Sequence, residues 1–313
     1  MLSGPHRRAP VAAPQAALTA LAAAPVLGVN LANTTLLRLD QGGGLAPGNK
    51  HFKLSANLDR ARQLGVSRLV SFGGAWSNHL HALAAVGAEQ GFATVGIVRG
   101  DDGVAATAML ADARRWGMHI VNVSRTQYRD RHDPAYLNRL RARFAPCLLI
   151  PEGGANPEGA RGCMAIADLL KARPHTARHI LLPVGTGTTL AGLVAGLGAD
   201  YDITGVAALR GAADLEQRVG QALASLPGES RARWRILHDA HCGGFARVDA
   251  GLRAFMLAFE AVHGIALEPV YTGKMLYAIY RRLRSGEWRS DVPLLAIHTG
   301  GLQGRRGYDW LGG

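Results

Sequence analysis

Beyond residue 50 the chain alternates short apolar runs with longer stretches whose apolar positions recur at helical spacing. The first group reads as a helix over 57–64 stopped by Gly65, a strand over 68–72, and a helix over 78–90 stopped by Gly91. A strand over 94–98, a helix over 104–116 closed by Gly117 and a strand over 119–123 follow. Pro134 sits at the favoured first position of a helix to about residue 144, ahead of a strand over 147–150 and a helix over 157–171. The second group opens with a strand over 179–184, a glycine-rich turn and a helix over 189–197. It continues with a strand over 203–209, a helix over 213–226 and a strand over 235–238. A long helix over 247–263 aligns Leu252, Phe255, Phe259 and Val262, and a helix over 273–285 and a strand over 293–298 close the series. Buried strands alternating with helices predict an α/β fold of two open, twisted, parallel-type sheets flanked by helices. The two blocks meet near residue 170, and the cleft between them is the expected place for a small ligand.

The first thirty residues differ. Pro10, Pro14 and Pro25 break the apolar stretch 11–26, which follows Arg7 and Arg8 and lacks the compact core of a secretory signal. This segment reads as a lead-in. It has no acidic residue, which leaves an organelle-transit reading open beside the preferred cytoplasmic one. No run of about eighteen uncharged apolar residues occurs, which excludes a membrane-spanning helix.

Composition narrows the class. A chain of 313 residues, 48% hydrophobic, is longer than one core usually supports, and it is neither disordered nor fibrous. Cys147, Cys163 and Cys242 are too scattered for a disulfide framework and read as thiols in a reducing compartment. The net charge of +12 comes from arginine: of 35 basic residues only Lys50, Lys53, Lys171 and Lys274 are lysine. The arginines are spread over helical segments, with no recognition helix or aromatic-rich strand among them. Nucleic acid is therefore not the expected partner, although a positive field attracts anionic ligands.

Three places carry candidate chemistry. Gly185-Thr-Gly-Thr-Thr189 joins a buried strand to a helix, where backbone N–H groups and the helix dipole hold an anion. It lacks the Gly-Lys-Ser/Thr of a nucleotide-hydrolysing loop and the third glycine of a dinucleotide turn, so a monophosphate remains. Lys50, after the glycine-rich 41–49, is placed for Schiff-base chemistry, with Lys53 as its decoy. Ser77 and Asn78 start a helix after a strand, a site that binds a carboxylate. His79 occupies the second glycine position of a serine-hydrolase elbow and removes that alternative. His238, His241 and Cys242 have no matching second ligand pair, so no metal is expected.

Gly48-Asn-Lys50, Ser77-Asn-His79, Gly185–Thr189, Tyr271-Thr-Gly-Lys274 and His298-Thr-Gly-Gly301 occur in an ordered series. With them the chain, from about residue 30 to 303, resembles the pyridoxal-phosphate enzymes of the aminocyclopropane-carboxylate deaminase/D-cysteine desulfhydrase family, which have the tryptophan synthase β-like fold. The resemblance implies a larger cofactor domain from 1–53 and 171–313, a smaller inserted domain over 54–170, and a homodimer. It implies that Lys50 forms the Schiff base with pyridoxal 5'-phosphate and moves the Cα proton, and that Asn78 bonds the cofactor's 3-hydroxyl oxygen. Ser77 would contact the substrate carboxylate or act as auxiliary acid/base, and Tyr271 would lie beside the substrate. Gly185, Thr186, Gly187, Thr188 and Thr189 would hold the phosphate, and Thr299 would face the pyridine nitrogen.

Three departures bear on the reaction. Thr272 stands where ring-opening deaminases carry a glutamate near that nitrogen, and Phe245 where the family places a second tyrosine. Both weigh against cyclopropane opening. Gly301-Leu-Gln-Gly-Arg-Arg306 replaces the usual Gly-Gly-Ala-Pro, leaving Arg305 and Arg306 either as a solvated tail or as substrate-anion contacts. The expected activity is a lyase acting on a small amino acid, with D-cysteine leading. Aminocyclopropane-carboxylate deamination is the alternative within the class, and an arginine-rich nucleic-acid-binding protein the alternative outside it.

Overall fold

The computed structural model of the chain describes residues 16–100, 107–228 and 231–312. Residues 1–15 of the lead-in and 104–106 of the expected helix lie outside them. The first half contains β1 (Ala17–Ala20), β2 (Thr34–Arg38), α1 (Asn49–Gln63), β3 (Arg68–Gly73), α2 (Asn78–Gln90) and β4 (Ala93–Arg99). Next come α3 (Ala108–Arg115), β5 (His119–Val123), α4 (Arg125–Arg129), α5 (Pro134–Phe144), β6 (Leu148–Leu149) and α6 (Pro157–Lys171). The second half contains β7 (His179–Val184), α7 (Thr188–Gly196), β8 (Asp202–Ala207), α8 (Leu215–Ala224) and β9 (Arg233–Leu237). It ends with α9 (Ala250–His263), α10 (Thr272–Arg284) and β10 (Leu294–His298).

The strands form a six-stranded sheet in the order β1-β2-β10-β7-β8-β9 and a four-stranded sheet in the order β5-β4-β3-β6. All pairings are parallel except β1 with β2. Side-chain alternation covers both faces of the larger sheet. Ile180 and Leu182 pack with Ile166, Leu170, Leu190 and Leu193 of α6 and α7, while Leu181 packs with Phe255, Met275 and Ile279 of α9 and α10. In the smaller sheet Leu69 meets Leu80 and Leu83 of α2, and Val70 and Phe72 meet Leu140 and Phe144 of α5.

Two features bear on how the chain is organised. The lead-in is part of the sheet from Ala17 onward, because β1 pairs with β2 and β2 runs parallel to β10. Helix α6 falls inside the expected 54–170 insert, yet its Ala160, Cys163, Ile166, Ala167 and Leu170 join the core under the larger sheet. Among the described residues no helix is long and apolar enough to cross a membrane. The carboxyl ends of β3, β7 and β10 lead into the segments of Ser77 and Asn78, of Gly185–Thr189 and of Thr299–Gly301, where open parallel sheets bind ligands.

Candidate active site

Gly48 brings α1 onto the end of β10. Its φ is +129°, and a Cβ there would stand 2.5 Å from the Thr299 carbonyl oxygen. The Asn49 N–H donates to that carbonyl at 3.0 Å, fixing the start of the helix. The helix begins well before the expected residue 57 because its early buried face includes Asn49, Lys53 and Asn57, which hide the apolar periodicity. Lys50 is thereby in a first helical turn, half-buried, with Nζ donating to Asn49 Oδ1 at 2.9 Å. The ammonium lies 5.9 Å from the centre of the Tyr271 ring. Burial, then the charge of Lys53, lowers its pKa to about 7, so a large neutral fraction is ready to act as a nucleophile at neutral pH.

The turn between β7 and α7 is built for an acceptor. Gly187 has φ +82°, and a Cβ there would lie 2.7 Å from Val219 Cγ2. No side chain caps α7, so its first N–H groups remain for an incoming anion. Thr186 and Thr188 share a hydrogen bond of 2.8 Å, and Thr189 Oγ1 accepts from Asn49 Nδ2 at 3.0 Å. Lys53 is more than a decoy: its Nζ donates to Thr186 Oγ1 and to the Gly153 carbonyl, both at 3.2 Å. The turn therefore holds a second, buried ammonium with neutral partners, and its pKa is lowered by burial.

The turn between β3 and α2 is finished differently. Ser77 caps α2, its Oγ accepting from the Leu80 N–H at 3.2 Å. Asn78 follows, and its Oδ1 accepts from Gln303 Nε2 at 2.9 Å. Buried His79 has a pKa pushed down to about 3 by burial and the nearby lysines, so it is neutral. Ser71 Oγ donates to the Ile150 carbonyl at 2.8 Å, which makes His79 Nε2 the donor to Ser71 Oγ at 2.9 Å. That tautomer leaves Nδ1 as an acceptor without a partner among the described residues.

Glu268 was not legible in the sequence. Its buried carboxylate accepts from the N–H groups of Val270, Tyr271 and Thr272 at 2.9, 2.7 and 2.6 Å. It caps α10, and the Thr272 hydroxyl is bonded to it as well. Thr272 is fully buried, while Glu268 and Thr299 reach the cavity wall. Phe245 lies edge-on to Tyr271 with ring centres 6.5 Å apart. Arg305 and Arg306 serve neither expected role: Arg305 pairs with Glu260 at 3.0 Å, and Arg306 pairs with Asp112 of α3.

One cavity of about 910 Å³ gathers these groups. Lys50, Ser77, Asn78, Gly185, Thr186, Gly187, Thr189, Tyr271 and Thr299 line it, while Thr188 is buried behind Thr186. Beside it Arg99, Arg125, Arg129 and Arg131 line a smaller hollow with Tyr128 and Glu152, leaving its surround net positive.

The sequence profile of the family described as "Pyridoxal-phosphate dependent enzyme" matches residues 15–300. The chain belongs to the pyridoxal-phosphate-dependent enzymes. It is 29% identical over 273 residues to a D-cysteine desulfhydrase of Salmonella choleraesuis (strain SC-B67), covering 81% of this chain and 82% of that one. It is 28% identical over 293 residues to a D-cysteine desulfhydrase of Klebsiella pneumoniae, covering 88% and 89%. A crystal structure of an ACC deaminase homologue superposes with a TM-score of 0.78 at 23% identity, covering 91% of this chain and 89% of that one. This last likeness concerns the fold. The site fits the family's cofactor: an amine of depressed pKa, an uncapped helix N-terminus beside a buried ammonium, and a polar amide line one cavity.

Proposed function

We propose that this pyridoxal-phosphate-dependent enzyme is a lyase that removes a β-substituent from a small amino acid, with D-cysteine as substrate and pyruvate, sulfide and ammonia as products. The carrying observation is the Lys50 amine, with a pKa of about 7, in the same cavity as the uncapped α7 N-terminus. Likeness to D-cysteine desulfhydrases over most of the chain supports the substrate.

When bound, the cofactor supplies an electron sink for the pair of electrons released at the substrate Cα. The chain's own residues position and move everything else. Gly185 to Thr189 and the Lys53 ammonium would hold the phosphate, Asn78 would donate to the ring oxygen, and Thr299 would serve the pyridine nitrogen. Lys50 would hold the cofactor's aldehyde and, as a free amine, would take the substrate Cα proton. Its pKa suits both accepting and returning that proton. Ser77 meets the substrate carboxylate or acts as auxiliary acid/base. Tyr271, whose pKa is raised by burial, keeps its proton beside the substrate. Phe245 offers no proton at the position facing Tyr271, which counts against cyclopropane opening.

We also infer a cytoplasmic homodimer with a larger lobe from 1–53 and 171–313 and a smaller one over 54–170, with α6 docked on the larger. The family resemblance supports the dimer. The deciding experiment records visible spectra of the holoenzyme with D- and L-cysteine while sulfide and pyruvate are measured. D-cysteine should change the spectrum and release both products in equal amounts. Release of 2-oxobutanoate from aminocyclopropane-carboxylate without sulfide release from cysteine would replace this reading with the deaminase one.

A further inference from the structure

The segment after β10 departs from the family's usual ending, and the structure gives that departure a use. Residues 302–307 form a 3-10 turn held at two points: Arg305 pairs with Glu260 and donates to the Leu267 carbonyl at 2.7 Å, and Arg306 pairs with Asp112. From this anchored turn the half-buried Gln303 side chain reaches Asn78, its Nε2 donating to Asn78 Oδ1 at 2.9 Å. Gly301 leaves room for the amide on its nitrogen side, where a Cβ would lie 2.9 Å from Asn78 Nδ2.

A primary amide has a donating and an accepting end of nearly equal size, so packing alone hardly decides which end faces a ligand. A hydrogen bond does. With its oxygen held toward the Gln303 donor, the planar Asn78 amide turns its N–H₂ the other way. We propose that Gln303 is a positioning residue that fixes the Asn78 amide with nitrogen inward, as the donor to the cofactor's ring oxygen. This rests on the reading that Asn78 contacts that oxygen, and it adds a residue outside the shared motifs.

Three substitutions separate this role from packing. Gln303→Glu keeps the shape but can only accept when ionised. It therefore pairs with Asn78 Nδ2, turns the amide over and sets Oδ1 against the ring oxygen. Gln303→Met keeps the volume without a hydrogen bond, and Gln303→Ala removes both. Cofactor affinity, measured by titrating the apo-enzyme, should fall by about tenfold or more for Gln303→Glu and by about two- to threefold for the other two. The absorption maximum of the bound cofactor should shift furthest in Gln303→Glu. A packing role gives the reverse order, with Ala worst and Glu near wild type, and that order would overturn the inference. Asn78→Ala is measured alongside. Unchanged affinity and spectrum there would remove the parent reading of Asn78, and this inference with it. A changed Asn78→Ala with Gln303→Glu no worse than Gln303→Ala would overturn this inference alone.

Discussion

The turn after β7 and the turn after β3 share a plan and differ in finish. Each joins the end of a parallel strand to a helix N-terminus on the same cavity. After β7 no side chain caps the helix, a glycine with φ +82° opens it, and a buried ammonium stands by through Thr186. After β3 the helix is capped by Ser77, and the next residue offers an amide held by Gln303. An uncapped N-terminus with a cation selects a fixed anion, whereas a capped one offers a hydroxyl and an amide as neutral polar contacts. The comparison assigns the cofactor's phosphate to one turn, and the edge of its ring together with the substrate to the other.

The sharpest way to break that assignment is Ser77→Ala. If Ser77 moves a proton, kcat should fall by about a hundredfold or more while cofactor affinity stays near wild type. A loss of cofactor with little change in kcat would put Ser77 on the wrong side of the comparison. Loss of the cap itself destabilises the fold by only ~1 kcal/mol, read by thermal unfolding.

Lys53→Met tests the other turn. Removing a charged hydrogen-bond partner should weaken cofactor binding by about ten- to a hundredfold, with turnover restored at saturating cofactor. The same change acts on Lys50, whose pKa Lys53 helps to depress. Attachment of added cofactor to the apo-enzyme requires the neutral amine, so its rate should rise with pH through a midpoint near 7 in the wild type. In Lys53→Met that midpoint should move to higher pH; an unmoved midpoint would show that the two lysines do not interact.

The smallest expected effects come from a pair of glycines. Gly187→Ala forces a side chain into φ +82° and within 2.7 Å of Val219 Cγ2, whereas a Cβ on Gly74 meets nothing nearer than Arg99 Nη2 at 3.7 Å. With ~1–2 kcal/mol for the backbone alone, cofactor affinity should drop about tenfold in Gly187→Ala. Gly74→Ala should bind cofactor as the wild type does. Equal losses in both would mean that the two turns are not specialised.

Much of this was legible in the residues. The helices starting at Asn78 and Pro134 announce themselves by Ser77 and by the proline itself, and in the structure Ser77, Asp133 and Asn156 cap the helices that follow them. The Gly185–Thr189 turn and Lys50 stood out through glycine content and the scarcity of lysine. Sequence pattern fails where polar groups are buried for chemistry. The first turns of α1 bury Asn49 and Lys53, so the helix start was lost and Lys53 looked incidental. Glu268 looks like any surface acid until three backbone N–H groups are seen to converge on it. Strands β1 and β2 escaped because each is short and finds its partner only in the fold, β2 beside a strand from the far end of the chain.

The most direct test of the account is reduction of the holoenzyme with borohydride, followed by proteolysis and mass mapping. The account predicts a stable pyridoxyl group on the Lys50 peptide, absent in Lys50→Ala. A label on Lys53, or none on any lysine, would contradict it.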